Sequence, residues 1–80
     1  MSDDLDTLRH EVLSELAAVS DLKAWDAVRV ATLGKSGRLT GLLKALGKMA
    51  PEERKQRGVA LNRLRDELTQ AVEERGRALE

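Results

Sequence analysis

Apolar residues return at three- and four-residue steps along most of this chain. Leu5, Leu8, Val12, Leu16 and Val19 mark one face of a first helix, entered through Ser2 or Asp3 as N-cap with acids near its positive end. Ser20-Asp21 is a second capping signal, after which Leu22, Trp25 and Val28 keep helical spacing. Val28-Arg29-Val30-Ala31-Thr32 also alternates as a strand would, but a lone five-residue strand has nothing to pair with here, which favours helix. Gly34-Lys35-Ser36-Gly37 interrupts the pattern, and two glycines three apart suit a sharp turn using left-handed dihedrals. A third helix is predicted from Ser36 or Gly37, with Leu39, Leu42, Leu43, Leu46 and Met49 on one face and Lys44 and Lys48 as an i,i+4 basic pair on another. Pro51 occupies a first helical position with Glu52 and Glu53 in the opening turn, so a fourth helix follows after a short connection. Its seam of Leu61, Leu64, Leu68, Ala71, Val72 and Leu79 nears a heptad, interrupted by Arg75.

Short connections make neighbouring helices antiparallel. The expected architecture is therefore all-α: a long antiparallel helical hairpin or coiled-coil arm, with short extra helices at the N-terminus, forming one domain over residues 1–80. The apolar pattern still runs at Ala78-Leu79-Glu80, as in a piece of a longer protein, and the seam Leu61, Leu64 and Leu68 is a candidate for self-association once such a body is removed.

Composition supports the helical reading. The 80 residues contain one Trp and neither Phe nor Tyr, so Leu, Val and Ala must supply a core that suits helix packing better than a sheet. The absence of Cys excludes disulfides and thiolate metal sites, and a single His, His10, lies off the apolar stripe of its helix. The acidic N-terminus lacks the features of a signal peptide and no apolar run reaches membrane-spanning length, so the expected location is cytoplasmic.

Charge changes the picture most. The formal net charge is zero, yet residues 1–26 carry −5, residues 27–51 carry +5 with no acid among them, residues 52–65 carry +3 and residues 66–80 carry −3. With the turn at Ala50-Pro51 as the distal end of a hairpin, the basic middle gathers toward the tip and both acidic ends toward the base. A polyanion is the natural partner of such a tip. The scarcity of aromatic side chains disfavours base stacking on single strands, leaving shape and backbone recognition of folded RNA.

The glycine turn carries less. A Walker loop needs a glycine five residues before Gly34, where this chain has Arg29, and the G-x-x-G clamp of a KH domain needs a sheet that is missing. Trp25 shares a face with Leu22 and Val28 and is expected as a core or junction anchor; Asp66, Glu67, Glu73 and Glu74 are expected on a helix surface. No nucleophile, base and acid stand together.

The stretch from "VRVATLGKSGRLTGLL" through "PEERKQRGVALNRLRDEL" resembles the N-terminal region of the bacterial phenylalanyl-tRNA synthetase alpha subunit family, which typically reads VR-x-x-x-LGKxGxLT, a Leu-rich helix, a PPEER-like turn and a long helix with an Asn. The correspondence runs from Val28 and Arg29 through Gly34, Lys35, Gly37 and Thr40 to Pro51, Arg54, Gly58 and Asn62, and departs at Ala50, where the family often has a second proline. It covers about residues 25–80, and the first helix only generally. The resemblance implies a tRNA-binding arm that touches the outer corner of a phenylalanine-specific tRNA, within an α2β2 ligase that uses ATP and magnesium. It implies no catalytic residue, cofactor site or metal site within these residues, and neither DNA nor a membrane as partner. Lys35, Arg38, Lys44, Lys48, Arg54, Lys55, Arg57 and Arg63 are the candidate phosphate contacts, Lys35 on motif and charge together and the others on charge. The competing reading is a coiled-coil module that docks on protein without touching RNA.

Overall fold

The computed structural model describes residues 3–80, so the N-cap expected at Ser2 or Asp3 lies outside the described side chains. Four helices follow in order: α1 (Asp3–Ala18), α2 (Leu22–Leu33), α3 (Arg38–Leu46) and α4 (Pro51–Leu79), with no strand among the described residues. The all-α hairpin holds. Val28–Thr32 is helical, because Asp21 caps α2 by accepting from the Ala24 N–H at 2.7 Å and the helix then runs uninterrupted to Leu33.

The tip of the hairpin is the link from Gly47 to Ala50, and α4, 29 residues long, sets the long dimension of the molecule at 42 Å. Two expectations about this end are corrected. Helix α3 stops at Leu46 rather than running to Met49, so Lys48 sits in the turn and makes no helical i,i+4 pair with Lys44. Gly47 begins that turn: its N–H and those of Lys48 and Met49 bond to the carbonyls of Lys44, Ala45 and Leu46 three residues back.

The three-residue link from Val19 to Asp21 turns the chain back between α1 and α2, and α1 runs parallel to α4. Leu5, Asp6 and Arg9 border a groove with Gln56, Val59, Ala60 and Arg63, whereas Leu13, Leu16 and Ala17 border another with Ala71, Glu74 and Ala78. This overturns the expectation that both acidic ends gather at the base. The start of α1 lies toward the tip, and the base holds the end of α1, the start of α2 and the end of α4.

The core is a single seam. Leu5, Leu8, Val12 and Leu16 of α1 and Leu39 of α3 close over Leu61, Leu64, Leu68 and Val72 of α4, all at most 7% exposed. The seam suggested for self-association is thus covered by α1 of the same chain. Burial of each of these side chains is worth about 1.5–3 kcal/mol.

At the base, Trp25 anchors α2 to α4 as expected. Its indole Nε1 donates to the Val72 carbonyl at 2.7 Å, and it lies against Gly76, where a Cβ would come within 2.7 Å of Trp25 Cζ2. Arg75, which breaks the heptad, has a use outside it: its Nη2 donates to the Val19 carbonyl at 2.6 Å, putting a cation at the negative end of α1.

Candidate nucleic-acid interface

The glycine turn joins α2 to α3 partway along the rod. Neither glycine uses a left-handed dihedral: Gly34 has φ −70° and ψ 176°, Gly37 φ −70° and ψ 162°. Their requirement is space. A Cβ on Gly34 would collide with the Val30 carbonyl oxygen, and one on Gly37 with that of Thr32. The turn is closed by Gly37 N–H to the Gly34 carbonyl at 2.9 Å, and the Thr40 hydroxyl donates to the same carbonyl at 2.7 Å. Lys35 is exposed on this turn. The Gly-Lys-Ser-Gly stretch is therefore a tight joint between two helices, whose glycines face the chain's own backbone.

The eight candidate cations fall into three places instead of one. Lys44 in the last turn of α3, Lys48 in the connecting turn, and Arg54 and Lys55 at the start of α4 surround the tip, all exposed. Arg57 follows them, half-buried, with its Nε buried and unpartnered. Lys35 and Arg38 lie at the joint, on either side of Gly37. Arg63 is exposed beside the α1–α4 groove, whose rim also holds Asp6 and Glu67.

Pairing separates these places further. Arg38 is held between Glu11 at 3.1 Å and Glu15 at 3.0 Å, both on α1. The other ion pairs among the described residues engage Arg9 with Asp6 and Glu67, Arg29 with Asp26, and Arg65 with Asp66. Arg38 is thus the one candidate held by acids; none of these pairs involves Lys44, Lys48, Arg54, Lys55 or Arg57 around the tip, nor Lys35 or Arg63. Glu52 and Glu53 stand in the first turn of α4, where they complement the helix dipole. Residues 44–57 keep a net charge of +3, with no acid pinned to any of the cations. Such a surface costs little to bring against phosphates, since no existing pair has to break.

The partners of Arg38 were not legible from the sequence, because Glu11 and Glu15 are separated from it by an entire helix and two turns. Their i,i+4 spacing is the only signal, and it becomes meaningful once α1 is known to run parallel to α4. His10 is exposed on α1, as its position off the stripe predicts. Among the described residues no group of three or more His, Cys, Asp or Glu side chains could hold a metal ion. No helix among them is long and apolar enough to cross a membrane.

Residues 20–80 match the model of a family described as the N-terminal domain of class II aminoacyl-tRNA synthetases. Over all 80 residues the chain is 66% identical to the phenylalanine–tRNA ligase alpha subunit of Gluconacetobacter diazotrophicus and 65% identical to that of Gluconobacter oxydans, covering 22% of each. It is 56% identical over 77 residues to the corresponding subunit of Caulobacter vibrioides, again 22% of that protein. The chain thus spans about a fifth of the length of these relatives. No solved structure matches it.

Proposed function

Because the chain belongs to the family of class II aminoacyl-tRNA synthetase N-terminal domains, in the branch formed by the alpha subunit of phenylalanine–tRNA ligase, we propose that it is the arm by which that ligase holds the backbone of its tRNA. The single observation that carries this reading is the set of exposed cations at the hairpin tip, Lys44, Lys48, Arg54 and Lys55, none of which is paired with an acid. Phosphates neutralise such groups with release of counterions, and the rigid seam behind them keeps the tip at a constant reach. Phenylalanine activation, ATP and magnesium belong to the remainder of the ligase, as does the beta subunit of an α2β2 assembly, and the setting is the cytoplasm. The arm contributes position and affinity to aminoacylation.

Titration of the chain with tRNA specific for phenylalanine, followed by backbone amide shifts at two salt concentrations, tests this. Shifts centred on residues 44–57 that fade as salt rises are expected, with a log Kd slope falling by about 0.9 for each phosphate contact removed by a tip substitution. Absence of shifts at low salt, or shifts confined to α1 and α2, would refute RNA contact by the tip. Protein docking has one observation in its favour: Leu13, Leu22, Val30 and Val59 are 40–59% exposed. They are scattered over three helices, and binding through them would persist at high salt.

A further inference from the structure

Two guanidinium groups on the flank of the rod are each held by a pair of carboxylates, and α1 supplies acids to both. Arg38 Nη1 lies 3.1 Å from Glu11 Oε2 and its Nη2 3.0 Å from Glu15 Oε1. Arg9 lies 3.3 Å from Asp6 and 3.6 Å from Glu67. Each cluster is one cation between two anions and sums to −1. The cluster around Arg38 thus offers a phosphate no net positive charge, although the residue stands in a stretch of 25 positions without an acid.

The arrangement is rigid at both ends. Glu11 and Glu15 project from a helix pinned by Val12 and Leu16, 0% and 3% exposed. Arg38 opens α3 next to Gly37, which has no room for a Cβ, and its neighbour Leu39 is 1% exposed. The backbones that carry the three side chains are therefore fixed, while the side chains themselves are 37–51% exposed. Farther along the same hairpin, Lys44, Lys48, Arg54 and Lys55 have no such partners. The family match begins at residue 20 and leaves out α1, the helix that brings Asp6, Glu11 and Glu15 alongside the hairpin.

We propose that Glu11 and Glu15 determine where RNA can sit on this arm: they neutralise Arg38 and fence off the flank it shares with α1, so that a polyanion engages the tip and is excluded from Arg38, leaving Lys35 as the one unpaired cation at the α2–α3 joint. This rests on the reading of the tip as an RNA contact. Arg38 is then a fastening for α1, and the acids of α1 are specificity-determining residues that act by repulsion.

The test compares Glu11→Gln/Glu15→Gln with Glu73→Gln/Glu74→Gln, which removes equal charge near the base, each measured for affinity toward phenylalanine-specific tRNA across a salt series. The first pair is expected to tighten binding about fivefold more than the second and to steepen the salt slope by about 0.9, one additional phosphate contact. Adding Arg38→Gln should abolish that gain, whereas Arg38→Gln alone should change Kd by less than about twofold. Equal gains from the two acid pairs would overturn the proposal. So would a loss from Arg38→Gln alone as large as that from Arg54→Gln, and this single variant decides the matter if the double variant unfolds. If the unaltered chain does not bind tRNA, the reading of the tip fails by itself. The salt needed to elute the same variants from heparin then still judges the fence, a selective rise for Glu11→Gln/Glu15→Gln supporting it and equal rises refuting it.

Discussion

The base and the tip of this rod are built from the same few side-chain types and differ in how closely those side chains are held. At the base, an indole rests on a helix at the one glycine where a Cβ would strike it, and its N–H is bonded to the Val72 carbonyl. Toward the tip, Leu42, Leu43, Leu46 and Met49 are only half-buried, and Gly41 and Gly58 have nothing within 4 Å of where a Cβ would stand. Two facing helices cannot enclose a leucine on every side, and α1 ends its coverage near Gln56. Stability is therefore concentrated between α1 and α4, and unpaired charge where packing is thinnest. Contact with a large polyanion suits the second region, because its cations are not already committed to holding the fold.

The contrast is tested most severely in the seam. Leu68→Ala, at a fully buried position between α1 and α4, should cost about 2–5 kcal/mol, whereas Leu46→Ala near the tip should cost well under half of that. Urea unfolding of the two variants measures the difference as a shift in midpoint at constant m-value. Equal losses would mean that the tip is packed as tightly as the body.

Gly76→Ala comes next. Alanine is the better helix former by about 1 kcal/mol, yet its methyl would lie 2.7 Å from Trp25 Cζ2 and 2.8 Å from Cε2. A ring anchored by its own hydrogen bond cannot move aside as a flexible chain end does. Net destabilisation of about 1–3 kcal/mol is expected, with a change in Trp fluorescence, since Trp25 is the only aromatic side chain. A stabilised variant with unchanged emission would show that the indole is not anchored on Gly76.

How much of this was legible in the sequence follows the same division. Helix existence was, because apolar spacing and capping residues are local: Asp21 caps α2 and Pro51 opens α4 as their positions predict. The extent of α3 was not, since the stripe continues to Met49 while Gly47 has already turned the chain. The direction of α1 was not, since a reversal at each of three short links would set α1 antiparallel to α4, whereas the grooves the two helices share run in parallel order. Arg38 stood among the candidate contacts because its sequence neighbours are basic; its actual neighbours, Glu11 and Glu15, are spatial. Gly76 gave no local sign of its role, since only the tertiary contact with Trp25 distinguishes it from Gly58.

The smallest expected effect separates the two regions most directly. Gly58 lies within α4 just beyond the tip, half-buried, with open space where a Cβ would be. Gly58→Ala should therefore stabilise the chain by about 0.5–1 kcal/mol, opposite in sign to the same substitution at Gly76, by removing backbone freedom from the unfolded state. A loss of stability would show a neighbour packed there and weaken the contrast between base and tip. The more instructive result combines a gain in the urea midpoint with weaker tRNA binding. Gly58 would then be a position where a phosphate backbone comes close to the helix, and its cost to the folded state would be offset only in the complex.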